Sequence, residues 1–132
     1  MSFGWGQVAD LARELIDTHG ESAVPQAALR AAVSRSYYAV YCTARDRLTA
    51  QGVEVPRKKA HATVFRQYGD SPDPRDKEIG ASLSRLLKQR LVADYDLSPP
   101  KPVDANLAEF CHLMAVQTLE LLADRAEDGN PA

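Results

Sequence analysis

Residues 25–52 read PQAALRAAVSRSYYAVYCTARDRLTAQG, and this stretch decides the fold. Its apolar positions Leu29, Val33, Tyr37, Val40, Ala44 and Leu48 recur at three and four residues, not at two. Side chains so spaced lie on one face of an α-helix. Alanine, the strongest helix former, recurs through the stretch and permits close packing. Ser22 is placed to cap the start, Pro25 falls in the first turn where a missing N–H costs nothing, and Gly52 stops the helix. The spacing predicts a helix of about 28 residues.

The flanks follow the same period. Val8, Leu11, Leu15 and Ile16 predict a first helix ending at Gly20. Gly52-Val53-Glu54-Val55-Pro56 alternates too briefly for a strand and reads as a connection. A short helix is expected from about Lys58 to Tyr68, closed by Gly69. Asp73 is the expected N-cap of a fourth helix, with Pro74 its first residue and Asp76 in its first turn. Ile79, Leu83, Leu86, Leu87 and Leu91 carry that helix to Asp94 or Tyr95, and Pro99-Pro100-Lys101-Pro102 forbids its continuation. A last helix spans about Asp104 to Ala126, with Leu107, Phe110, Met114, Leu121 and Leu122 facing inward and a frayed tail over 126–132. The expectation is an all-α antiparallel bundle of about five helices, four long and one short, forming one domain over 1–132 with its core at about 7–125.

Composition excludes several classes. The 132 residues are 45% hydrophobic and 26% charged, ordinary values for a globular chain. No run of ~18 uncharged apolar residues exists, so no membrane partner is expected. The N-terminus has no basic start, and Asp10 and Glu14 interrupt any signal-peptide core, which points to the cytoplasm. Cys42 and Cys111 are too few for a disulfide framework and read as small buried residues. Glycine-rich phosphate loops are absent, and the adjacent Cys111 and His112 diverge by about 100° on a helix, so no metal and no cofactor are expected. Charge is uneven: residues 30–66 carry eight Lys/Arg against Asp46 and Glu54, whereas residues 103–132 carry Arg125 against six acids. A basic middle can attract a polyanion, or can simply lie beside its acidic neighbours in the fold.

Three clusters carry candidate chemistry. Arg30, Ser34, Tyr38, Tyr41 and Arg45 share a face of the second helix, with Arg35 on its edge. Arginines interleaved with tyrosines can grip phosphate and stack on a base, or can pack against another helix or subunit. Arg90, Asp94 and Tyr95 converge at the end of the fourth helix, where Arg90 and Asp94 also make an ordinary i, i+4 pair near the negative end of the helix dipole. His61 follows Arg57-Lys58-Lys59, whose charge favours a neutral ring able to accept a proton.

The segment Ser34-Arg35-Ser36-Tyr37-Tyr38-Ala39, with Tyr41 after it, resembles the second-helix signature of the HEPN superfamily, in its small stand-alone bacterial and archaeal branch. That branch reads Ser-Arg-x-Tyr-Tyr-Ala followed by an aromatic. It has a histidine and then a phenylalanine on the next short helix, matched by His61 and Phe65, and an arginine followed by Asp-Tyr, matched by Arg90 and Asp94-Tyr95. The resemblance covers about residues 7–125 and implies a helical homodimer with paired sites at the subunit interface. It further implies a toxin-like or defence-associated module that engages RNA or a phosphate-bearing nucleotide, often beside a nucleotidyltransferase-type protein partner. Many members are metal-independent endoribonucleases with an Arg-x₄₋₆-His motif. Here positions 95–97 are Tyr95, Asp96 and Leu97, and no histidine follows Arg90 before His112. Losing a general acid or base typically lowers the rate 10²–10⁴-fold, so the expectation is weak or absent cleavage. The resemblance makes Arg90, Asp94, Tyr95 and His61 the candidate reacting centre, and the face read from spacing, Arg30, Ser34, Arg35, Tyr38 and Arg45, is the candidate contact to phosphate or RNA. A non-catalytic protein-interaction module is the competing reading.

Overall fold

In the computed structural model, which describes residues 3–128, the chain forms five α-helices and one short 3₁₀ turn. The helices are α1 (Gly6–Thr18), α2 (Pro25–Ala50), α3 (Ala60–Asp70), α4 (Pro74–Tyr95) and α5 (Ala105–Glu127). The 3₁₀ turn His19–Glu21 follows α1 and contains the glycine expected to end it. No strand occurs among the described residues. None of the helices is long and apolar enough to cross a membrane.

Helix ends obey local chemistry. Asp73 caps α4 by accepting from the Arg75 amide at 2.8 Å, and Pro74 opens the helix as expected. Asp104 caps α5 through the Leu107 amide at 2.8 Å. Ser22 accepts from the Val24 amide at 3.0 Å, but the residue flanking α2 is Val24, so the hydroxyl braces the approach to the helix instead of capping it. Helix α3 begins at Ala60 because Lys59 takes a left-handed conformation (φ 63°) that no α-helix continues from. Helix α5 runs on through Glu127, so the first residues of the expected tail are helical, and residues 129–132 lie outside the described part.

Helix α2 is the axis of the bundle and packs against α1, α3, α4 and α5. Leu29, Val33, Tyr37, Val40 and Ala44 are buried as their spacing predicts, and Ala32, Ser36 and Ala39 are buried beside them. Burying each large apolar side chain stabilises the fold by roughly 1.5–3 kcal/mol. Helix α5 meets the core through a seam of small residues, Ala108, Cys111, Ala115 and Thr118. This corrects one expectation. Phe110 is 55% exposed, because the buried arc of α5 is narrow and position 110 points away from it. Leu11 and Leu91, each 44% exposed, likewise fall outside their helices' inner arcs.

The opposite end of the bundle is tied by charge. The buried Asp76 carboxylate on α4 accepts from Arg125 Nε on α5 at 2.8 Å, from Arg47 Nη1 on α2 at 3.3 Å and from Ser71 Oγ at 2.7 Å. Tyr68 of α3 donates its hydroxyl to the Ala44 carbonyl at 2.9 Å. Gly80 allows α4 to lie against α3 there, since a Cβ would sit 3.3 Å from the Gly69 nitrogen. These ties fix the register of α4, whose far end carries Arg90.

Candidate functional site: a cationic and aromatic cluster on α2, α3 and α4

Helix α3 places His61 flat on Tyr41, with ring centroids 4.0 Å apart and planes within 6°. The Tyr37 hydroxyl meets His61 Nδ1 at 2.5 Å. Tyr37 is fully buried and its hydroxyl has no other partner among the described residues. A phenol proton with nowhere else to go must point at the ring, so Tyr37 donates and Nδ1 accepts. The neutral imidazole therefore carries its proton on Nε2, which makes no hydrogen bond to the described residues and is not sealed from solvent. Burial lowers the His61 pKa, and the nearby Arg90 charge lowers it further. The expected neutral histidine is thus present, with burial as the main cause, and it offers a donor where a base would offer a lone pair.

Arg90 lies beside this stack. Its guanidinium carbon is 5.0 Å from the Tyr38 ring centroid and 5.5 Å from that of Tyr95, within cation–π range. Its Nε is 2.8 Å from Asp94 Oδ2, yet the N–H is not directed at that oxygen, so the contact is an ion pair without a well-formed hydrogen bond. Ser34 Oγ donates to the same Asp94 oxygen at 3.2 Å, which ties α2 to the end of α4. Nη1 and Nη2 of Arg90 make no hydrogen bond to the described residues and are not sealed from solvent. Arg35 stands 5.4 Å from the Tyr38 ring and has no carboxylate partner among the described residues. The two guanidinium groups thus flank the Tyr38 ring, and of the two Arg90 has a carboxylate beside it.

The remaining arginines of α2 are differently engaged. Arg30 Nη1 donates to the carbonyls of Ala93 at 3.1 Å and Asp96 at 2.7 Å, completing the C-terminal turn of α4. Arg45 is held by Asp46 at 3.0 Å and lies 5.9 Å from the Tyr41 ring, and Trp5 donates to Asp46 at 2.7 Å. Arg57, Lys58 and Lys59 form an exposed basic approach to His61. The structure thus brings Ser34, Arg35, Tyr38, His61, Arg90, Asp94 and Tyr95 into one cluster and gives Arg30 to the helix end.

Tyr37 is the member that sequence spacing assigned to the core alone. Its signal was the residue type, because a tyrosine at a buried position needs a partner for its hydroxyl. Of the two uses open to the Arg/Tyr face, Tyr41 takes the packing one: only 4% of it is exposed because His61 of α3 covers it within the chain. The exposed apolar surface near the cluster is instead Leu91, Tyr95 and Leu97 at the end of α4.

Among models of known protein families, curated proteins and solved structures, none matches this chain.

Proposed function

We propose that the chain is a HEPN-type homodimeric module that engages RNA or a phosphate-bearing nucleotide through Arg90, with weak or absent metal-independent endoribonuclease activity. The observation that carries this reading is the state of the Arg90 guanidinium. Its plane is steadied by Tyr38, Tyr95 and Asp94, while both terminal nitrogens stay open to solvent. A guanidinium so held is prepared for paired hydrogen bonds to a phosphate. Arg35 adds a second cation, and the Tyr and His rings offer faces for a base.

The same geometry favours binding over cleavage. Attack by a ribose 2′-hydroxyl needs a base to take its proton and an acid to protonate the leaving oxygen. His61 Nδ1 is occupied by the Tyr37 proton, so the ring nitrogen left to a ligand is a donor. Leu91, Tyr95 and Leu97 supply apolar surface beside the cluster for a second copy of the chain. A toxin-like or defence-associated role, with a nucleotidyltransferase-type partner, is the setting that the resemblance implies.

The test is titration of a single-stranded RNA oligonucleotide at low salt. A charge-assisted contact to phosphate contributes ~1.5–3 kcal/mol, so Arg90→Ala should weaken binding about 10–100-fold. Affinity should also fall as salt rises. Unchanged affinity in Arg90→Ala would leave the protein-interaction reading in its place.

A further inference from the structure

The face built by α1 and α5 has a different character. Phe110 and Leu113 are each 55% exposed, and with Val116 they make an oblique apolar row on α5. Beside this row lies a recess of about 360 Å³, lined by Arg13, Glu109, Phe110, His112, Leu113 and Val116. Helix α1 packs on α2 and α5 but not on α3 or α4, so this face is remote from the Arg90 cluster.

The rim is acidic by construction. Asp10, Glu14 and Asp17 share the outward side of α1 that bears Arg13, and Glu109 and Glu120 share the side of α5 that bears Leu113 and Val116. Among the described residues the Lys/Arg side chain there is Arg13, and it is consumed: it donates to Glu109 at 2.7 and 2.6 Å and to Asp17 at 2.6 Å. Residues 1–29 and 103–132 contain no lysine, and Arg125, the other arginine of these segments, is bound to Asp76 at the far end of the bundle.

We propose that this α1/α5 face docks a basic amphipathic helix of a partner protein, apolar side chains seated on Phe110, Leu113 and Val116 and Lys/Arg flanking them over the acidic rim. Charge decides the occupant. A second copy would bring the same acidic rim against itself, and like charges face to face oppose association. A helix with an apolar stripe between basic flanks meets both features at once. The inference rests on no part of the Arg90 reading.

The probe is a synthetic helix of about 15 residues, leucines at i, i+3, i+4 and lysines elsewhere, titrated into the full chain. Binding should weaken at least about tenfold in the double variant Phe110→Ser/Leu113→Ser, whose exposed side chains can be exchanged without opening the core. A peptide with glutamate in place of lysine should not bind. Amide shifts in the unaltered protein should centre on Arg13, Phe110, Leu113 and Val116, which tests the site even if the double variant fails to fold. Three results would overturn the proposal. They are equal binding by the double variant, equal binding by a peptide of the same composition with its leucines dispersed, and a dimer of the unaltered chain that the double variant dissolves.

Discussion

Replacing Asp76 by alanine should be among the most damaging single changes in this chain. The Asp76 side chain is 8% exposed and faces Arg47 at 10% and Arg125 at 19%. Removing one member of a buried ion network leaves uncompensated charge and costs about 3–5 kcal/mol. Arg47 keeps no carboxylate among the described residues, but Arg125 retains Asp73 at 3.3 Å, so one of the two arginines stays paired and the lower end applies. At about 2.1 cal/mol/K per residue, 132 residues give an unfolding entropy near 0.28 kcal/mol/K. A loss of ~3 kcal/mol then lowers Tm by about 11 °C, read by calorimetry or circular dichroism at pH 7. Burial raises the Asp76 pKa, but hydrogen bonds from Arg125 and Ser71 and the charges of Arg47 and Arg125 outweigh it, so the net shift is downward from 3.8. A carboxyl depressed on folding stabilises the protein above its unfolded pKa and loses that contribution as pH falls through the folded value. The acid limb of the stability curve should therefore be shallower in Asp76→Asn than in the parent. A Tm change under about 3 °C for Asp76→Ala would refute the reasoning, because it would mean that the buried arginines gain nothing from the carboxylate.

Further outcomes follow from the cluster and from the helix end beside it. Arg30→Met should lower stability by about 1–2 kcal/mol, since the carbonyls ending α4 lose a charged donor, and a thermal melt checks this. Nitrogen NMR of His61 should report a proton on Nε2, a pKa below the usual 6.5 and a rise of that pKa in Arg90→Ala. A histidine held neutral in the folded state contributes stability above its unfolded pKa and loses it as pH falls, so mild acid should weaken the α2–α3 contact before the carboxylates titrate. Tyr37→Phe should abolish the single-tautomer signature with the helices retained; an unchanged signature would show that Tyr37 does not set it.

Much of the fold was legible in the residues, and the misses have physical reasons. Asp73-Pro74 marks the start of α4 because a capping carboxylate and a fixed φ act within one turn. The burial of Val33, Tyr37 and Val40 follows from period alone. Phe110 was misplaced because hydrophobicity says which residues prefer the core, not which of them the seam has room for. That seam is made of Ala108, Cys111 and Ala115, whose small side chains bring the helices close and narrow the buried arc. The Asp76 network was invisible for a different reason. Arg47, Asp76 and Arg125 lie far apart in sequence, and no local pattern marks residues that only the packing of three helices brings together. The candidate cluster divides the same way. Arg90 and Asp94 could be paired from their i, i+4 spacing, but Tyr37 against His61 needed α3 to fold onto α2.

That last contact bears on what a cluster of this kind can do. Arg90 offers Nη1 and Nη2, His61 offers Nε2–H, and Arg35 offers its guanidinium; every one of these is a donor. The carboxylate within the cluster, Asp94, already receives Ser34 and lies against Arg90. A surface rich in donors and poor in free acceptors suits an anion that arrives deprotonated, such as a phosphodiester, and serves poorly to remove a proton from a neutral hydroxyl. Restoring proton transfer would take a base near Arg90, and the Arg-x₄₋₆-His pattern would set one within positions 95–97, of which 96 is the middle. Asp96 is there instead, with its side chain turned to the Ser98 amide at 3.0 Å and its carbonyl held by Arg30. The backbone that would have to present a base is thus committed to ending the helix, which on the proposed reading is a physical reason for binding to prevail over cleavage.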